Sequence, residues 1–104
     1  MGWDIDVREK VYQRLANEIF FRILRGEYAL GDKLPSYIEI AKKAGSSPET
    51  LRKAFRELQQ HGVIEKTPRG YFVTSDKTAV TAFRERYLAS IEEAYHNAIA
   101  KVEI

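Results

Sequence analysis

Three cations, Arg52, Lys53 and Arg56, fall within five residues of one another, and Lys42, Lys43, Lys66 and Arg69 flank them in the chain. A guanidinium presents a planar fork of donors that suits phosphate oxygens or the paired acceptors of a guanine edge, whereas an ammonium acts as a point charge. Between Lys42 and Arg69 seven Lys/Arg stand against three Asp/Glu, although the whole chain carries a net charge of only +2. The cationic chemistry is therefore concentrated in the middle of the chain, against a slightly acidic remainder. A charge excess of this size also fits an ordinary solvated face. What these residues do depends on the elements that hold them.

Other chemistries find few residues to work with. The chain has no cysteine, which excludes a disulfide framework, a thiolate nucleophile and the usual structural zinc sites. His96 follows Glu92 by one helical turn, but two ligands are too few for a metal, and an exposed pair is expected. His61 precedes Gly62 at a helix end, where a cation meets the negative pole of the dipole, a structural role. No Gly-rich phosphate cradle and no Ser/His/Asp set are found, so neither catalysis nor a cofactor nor a metal is expected. A length of 104 residues, 44% hydrophobic and 31% charged, is one domain's worth of globular protein with no room for a second, catalytic domain. No apolar run approaches the roughly 20 residues of a spanning helix, and no signal-like segment opens the chain, so no membrane partner and a cytoplasmic location are expected.

The hydrophobic pattern sets out the scaffold. Val11, Leu15, Ile19 and Ile23 recur every fourth residue, with Tyr12, Phe20 and Leu24 widening the stripe, so residues 7–24 read as an amphipathic helix closed near Gly26. Ser36-Tyr37-Ile38-Glu39 has the form of a capping box and opens a short helix ending at Ala44-Gly45, with Ile38, Ala41 and Ile40 as its inner face. Ser47 as N-cap, Pro48 in the first turn and Glu49 at the positive dipole end open another helix, which runs to about His61. Leu51, Ala54, Phe55 and Leu58 form its buried side, leaving Glu49, Arg52, Lys53 and Arg56 to face outward. Val63–Lys66 and Tyr71–Thr74 read as a hairpin about the four-residue turn Thr67-Pro68-Arg69-Gly70. A last helix is capped at Ser75 or Asp76 and carries Val80, Phe83, Tyr87, Ile91, Ala94, Tyr95, Ala98 and Val102 on one stripe.

The order helix, helix, glycine turn, helix, hairpin, helix is mostly α with a small β-hairpin wing, the layout of a winged helix-turn-helix. At these residues the chain resembles the GntR family of bacterial transcriptional regulators. Gly31-Asp32-Lys33-Leu34-Pro35-Ser36 is similar to its G-[DE]-x-L-P-S motif. Ile40-Ala41, Gly45, Ser47, Thr50, Arg52, Ala54 and Leu58 follow its helix-turn-helix run, and Gly62-Val63-Ile64 and Gly70-Tyr71-Phe72-Val73 resemble its later segments. The likeness covers roughly residues 8 to 75. Trp3-Asp4-Ile5-Asp6 and the single-helix tail resemble the small YtrA-like branch, which lacks a large effector domain. Two positions depart from the pattern: Ile38 replaces an Arg that contacts DNA, and Pro68-Arg69-Gly70-Tyr71 replaces the wing's G-x-G-T, leaving Arg69 within reach of a phosphate.

The resemblance implies a DNA-binding domain over residues 1–75 and a C-terminal dimerisation helix over 76–104. It implies a regulator, expected to be a repressor, that binds a pseudo-palindromic operator on double-stranded DNA as a homodimer. A small-molecule effector is left open. The expected DNA-binding residues are Ser36, Ser47, Pro48, Glu49, Thr50, Arg52, Lys53, Arg56, Lys66, Arg69 and Gly70. Arg52 is assigned to a guanine or a phosphate, and Pro48 and Glu49 to specificity. The expected dimer interface is Val80, Phe83, Tyr87, Ile91, Ala94, Tyr95, Ala98 and Val102, because a winged-helix core covers only part of so long a helix. A winged helix used as a protein-interaction module is the competing reading, but it calls for an apolar or mixed face where Arg52, Lys53 and Arg56 stand.

Overall fold

The computed structural model describes the backbone of residues 3–102 and the side chains of residues 11–93, 95 and 96. The elements run α1 (Trp3–Leu24), α2 (Tyr37–Ala44), α3 (Pro48–Gln60), β1 (Ile64–Thr67), β2 (Gly70–Val73) and α4 (Lys77–Val102). This is the winged helix-turn-helix layout, with α1 starting four residues earlier than its apolar period implied.

Local chemistry sets most of the boundaries. The Ser36 hydroxyl accepts from the Glu39 N–H at 3.1 Å, and the Ser47 hydroxyl accepts from the Thr50 N–H at 3.2 Å, so α2 and α3 each begin on a satisfied cap. Gly45 takes φ +65° at the end of α2, and the Ser46 N–H reaches back to the Ala41 carbonyl at 3.0 Å. Two carbonyls of α2 are thereby satisfied while the chain turns into α3. Asp76 caps α4, accepting from the Thr78 N–H at 2.9 Å.

The core lies where α1, α2 and α3 meet. Ala16, Ile19, Phe20 and Ile23 pack with Ala41 and with Leu51, Ala54, Phe55 and Leu58, the whole expected inner face of α3. Leu34, Val63, Ile64 and Val73 close it from the side of the hairpin. Burial of each large apolar side chain contributes about 1.5–3 kcal/mol, so this cluster dominates the stability of so small a domain.

Several expectations are corrected. The hairpin pairs Ile64 with Val73 through to Thr67 with Gly70, so only Pro68 and Arg69 remain in the turn, not four residues. Pro68 supplies a fixed φ at the first turn position, Thr67 Oγ1 accepts from the Arg69 N–H at 3.1 Å, and Gly70 takes φ +124°. Ile38 is not on the inner face of α2. It is 48% exposed, and the packed side is Tyr37, Ile40 and Ala41. Leu24, expected to widen the stripe of α1, is also exposed.

The segment before α2 is joined to the wing. Lys33 bridges Phe72, the Leu34 N–H donates to the Tyr71 carbonyl at 2.8 Å, and Gly31 and Asp32 exchange hydrogen bonds with Val73. This isolated bridge and its flanking hydrogen bonds fix the hairpin to the entry of α2.

The far part of α4 stands away from this core. Phe83 is 7% exposed and stacks on Phe20 with ring centroids 4.5 Å apart, and Tyr87 meets Phe21 edge-on at 5.0 Å. From Leu88 onward every described side chain is exposed. Phe83 is therefore a core residue of its own chain rather than an interface residue, half-buried Val80 packs against that core too, and half-buried Tyr87 meets Phe21. Physically, the early turns of α4 pack on α1 through Phe83 and Tyr87, while the described side chains beyond them are exposed. The expected interface positions Ala94, Ala98 and Val102, and the Trp3–Asp6 motif, lie outside the described side chains.

A candidate nucleic-acid interface on helix α3 and the wing

Because Leu51, Ala54, Phe55 and Leu58 are fully buried, the helical period turns Glu49, Lys53 and Arg56 to solvent and leaves Arg52 at the edge of that face. Pro48 and Glu49 occupy the first turn, beside the Ser47 cap, whose hydroxyl also meets Thr50 Oγ1 at 2.7 Å. Ser36 caps the neighbouring helix. The capped starts of α2 and α3 thus accompany the cations of α3, an arrangement suited to phosphate oxygens.

Arg52 is held in place. Its Nε donates to Glu49 Oε2 at 3.1 Å and its Nη2 to Oε1 at 2.6 Å, a two-pronged pair one helical turn apart. The Arg52 hydrogen bond holds the Glu49 carboxyl below the ordinary carboxylate value, helped by the charges of Arg52, Lys53 and Arg56. The Glu49 hydrogen bond and charge raise the Arg52 guanidinium in turn, and the phenols of Tyr37 and Tyr71 lie near enough to add to that shift.

Those two tyrosines were not anticipated. Tyr37 on α2 and Tyr71 on β2 both pack edge-on against Phe55, at 6.1 and 4.8 Å, and so join α2, α3 and the wing around Arg52. Their signal in the sequence was aromatic character alone, and the fold brings them together. Lys66 lies 5.9 Å above the Tyr71 ring, carrying its ammonium from the wing toward the same region. Arg69 is exposed at the wing's tip. Gly70 beside it stands so close to Lys33 that a Cβ there would lie 3.2 Å from Lys33 Cε. Lys33, expected only as the end of a loop, is thus a further cation at the base of the wing. Lys53 and Arg56 line a separate shallow cavity of about 200 Å³ with Tyr12, Glu57 and Gln60.

His61 has the structural role expected of it. It contacts Glu57 at 3.1 Å and Arg86, and its ring packs on Phe83 at 5.5 Å, so α3 and α4 meet through it. His96 and Glu92 lie 3.7 Å apart on exposed α4, and no group of three or more metal-ligating side chains occurs among the described residues. No described helix is long and apolar enough to cross a membrane.

Comparison with known proteins agrees with this geometry. The chain is 34% identical over 83 residues to the HTH-type transcriptional repressor YtrA of Bacillus subtilis, a match covering 80% of this chain and 63% of YtrA. A GntR family transcriptional regulator from Listeria monocytogenes has a similar structure, with a TM-score of 0.76, 27% identity, and coverage of 90% of this chain and 83% of that one. BusR of S. agalactiae, solved in complex with its busAB-promotor DNA, matches with a TM-score of 0.69 and 28% identity over 88% of this chain and 47% of BusR. Residues 8–73 match the family model described as bacterial regulatory proteins, gntR family. With its winged helix, its L-P-S and helix-turn-helix motifs and this match over most of its length, the chain belongs to the GntR family of bacterial transcriptional regulators.

Proposed function

We propose that the protein binds a pseudo-palindromic operator in duplex DNA as a homodimer and thereby represses transcription. The observation that carries this reading is the exposed cationic face of α3, Arg52, Lys53 and Arg56, set on a helix whose other face is entirely buried and whose start is capped. In a helix-turn-helix that helix lies in the major groove, and its first turns meet base edges. Arg52 would read a base, while Lys53, Arg56, Lys66, Arg69 and the helix starts at Ser36 and Ser47 would hold phosphates. The promoter complex of BusR and the repressor YtrA among the relatives support DNA binding and repression respectively.

Dimerisation rests on the far part of α4. Leu88, Ile91 and Tyr95 are 50%, 49% and 63% exposed on a helix that has left its own core. An apolar stripe of this kind is covered most simply by a second copy, and a two-fold axis there would present two recognition helices to two half-sites. Residues 1–75 would then be the DNA-binding unit, and 76–104 would supply both a core residue, Phe83, and the dimer contact.

Selection of bound duplexes from a random pool tests the proposal. The expected result is a two-fold-related motif with a fixed half-site spacing. Recovery of unrelated sequences with no shared motif would overturn it.

A further inference from the structure

The ion pair at the start of α3 has an orientation as well as a charge. A guanidinium has two forked edges, one made by Nε and Nη2 and one by Nη1 and Nη2. In this structure Glu49 takes the first edge through both carboxylate oxygens, at 3.1 and 2.6 Å. The Nη1 donors of Arg52 have no partner among the described residues, so the second edge is left open. Two parallel donors on that edge match the O6 and N7 acceptors of guanine, which lie side by side in the major groove. A single phosphate oxygen needs no such alignment. Tyr37 and Tyr71, both packed edge-on against Phe55, lie near the pair.

From this geometry we infer that Glu49 is a specificity-determining positioning residue, which holds Arg52 with its outer edge presented to one guanine of each half-site. The inference rests on the DNA-binding reading above. Glu49 also places a negative charge beside Arg52, where it repels phosphate oxygens, and so opposes use of the guanidinium as a backbone contact. Without the carboxylate, Arg52 is free to turn toward the DNA backbone. Affinity for unrelated sequence then rises while preference for the guanine falls.

The test uses the full chain and the best duplex from selection, with three further duplexes changed at the base pair assigned to Arg52. Glu49→Gln keeps the size of the side chain and its place in the helix but leaves one acceptor oxygen in place of two. The expected result is a fall of about tenfold in the guanine preference, with binding to unrelated duplex unchanged or tighter. Arg52→Ala, measured alongside, is expected to abolish the preference. An unchanged preference in Glu49→Gln, with Arg52→Ala still abolishing it, overturns the positioning role and leaves the DNA-binding reading standing. An equal loss on all duplexes in Glu49→Gln also overturns it, since a contribution to helix stability alone acts that way. If Arg52→Ala leaves the preference untouched, the placement of α3 against base edges fails together with the inference.

Discussion

Replacing Phe83 with alanine separates core packing from the dimer contact proposed for α4. The ring is 7% exposed, stacked on Phe20 at 4.5 Å and against His61 at 5.5 Å, so its removal leaves a cavity where α4 docks on α1 and α3. Truncations of buried Phe cost about 3–5 kcal/mol. For a domain of this size each kcal/mol lowers Tm by roughly 4–8 °C, so even the lower figure corresponds to a fall of about 12 °C or more. Because folding and association are linked in a dimer, the measurement belongs in a background made monomeric by Ile91→Glu and Tyr95→Glu. Urea unfolding of that background with and without Phe83→Ala gives the cost directly. A core residue costs the same there as in the proposed wild-type dimer, within about 0.5 kcal/mol. If the substitution is nearly neutral in the monomer and costly only in the dimer, Phe83 belongs to the interface, and its assignment to the core is wrong.

The Ile91→Glu/Tyr95→Glu pair is itself expected to sediment as a monomer and to bind the operator far more weakly, while a variant that stays dimeric would place the interface elsewhere. Operator affinity is expected to fall steeply with salt, and Lys66→Ala to weaken all sequences alike and reduce the slope of log K against log salt by about one, where a flat wild-type plot would exclude the phosphate contacts. Gly70→Ala, forced to φ +124° beside Lys33, is expected to destabilise the wing, seen as faster amide exchange in β1 and β2 than in α3. Glu49 is expected to titrate below the ordinary carboxylate value by NMR and to move upward in Arg52→Ala. The folded-state value is depressed, so the pair's contribution is present at neutral pH and disappears as pH falls through that depressed value.

Features set by neighbours in the chain were readable from sequence, and features set by distant neighbours were not. The caps at Ser36 and Ser47, the Pro48 helix start, the Gly45 turn and the four buried positions of α3 all follow from signals within a few residues. Ile38 illustrates the limit: α2 has only eight residues, and with Tyr37, Ile38, Ile40 and Ala41 all apolar or aromatic, its period does not single out one face. The union of Lys33 with Phe72, and of Tyr37 and Tyr71 around Arg52, joins residues 15 or more apart, which no local pattern encodes. The α4 stripe was legible as apolar, but periodicity does not say which chain covers it. Phe83 is covered by its own chain. The bidentate Glu49–Arg52 pair lay between these cases, since its spacing was visible but its orientation was not.

Helix α4 leaves the core at Tyr87 and runs on to Val102. At 1.5 Å per residue that is about 22 Å of rod beyond its last anchoring ring. A swing of about 10° at this root carries the tip through roughly 4 Å, close to the rise of about 3.4 Å between successive base pairs. For two copies clasped along their tips, angular play at the root is therefore geared into whole base-pair steps of separation between the two reading heads. In the proposed dimer, the packing of Phe83 and Tyr87, far from any base, would then bear on which half-site spacings the pair can span.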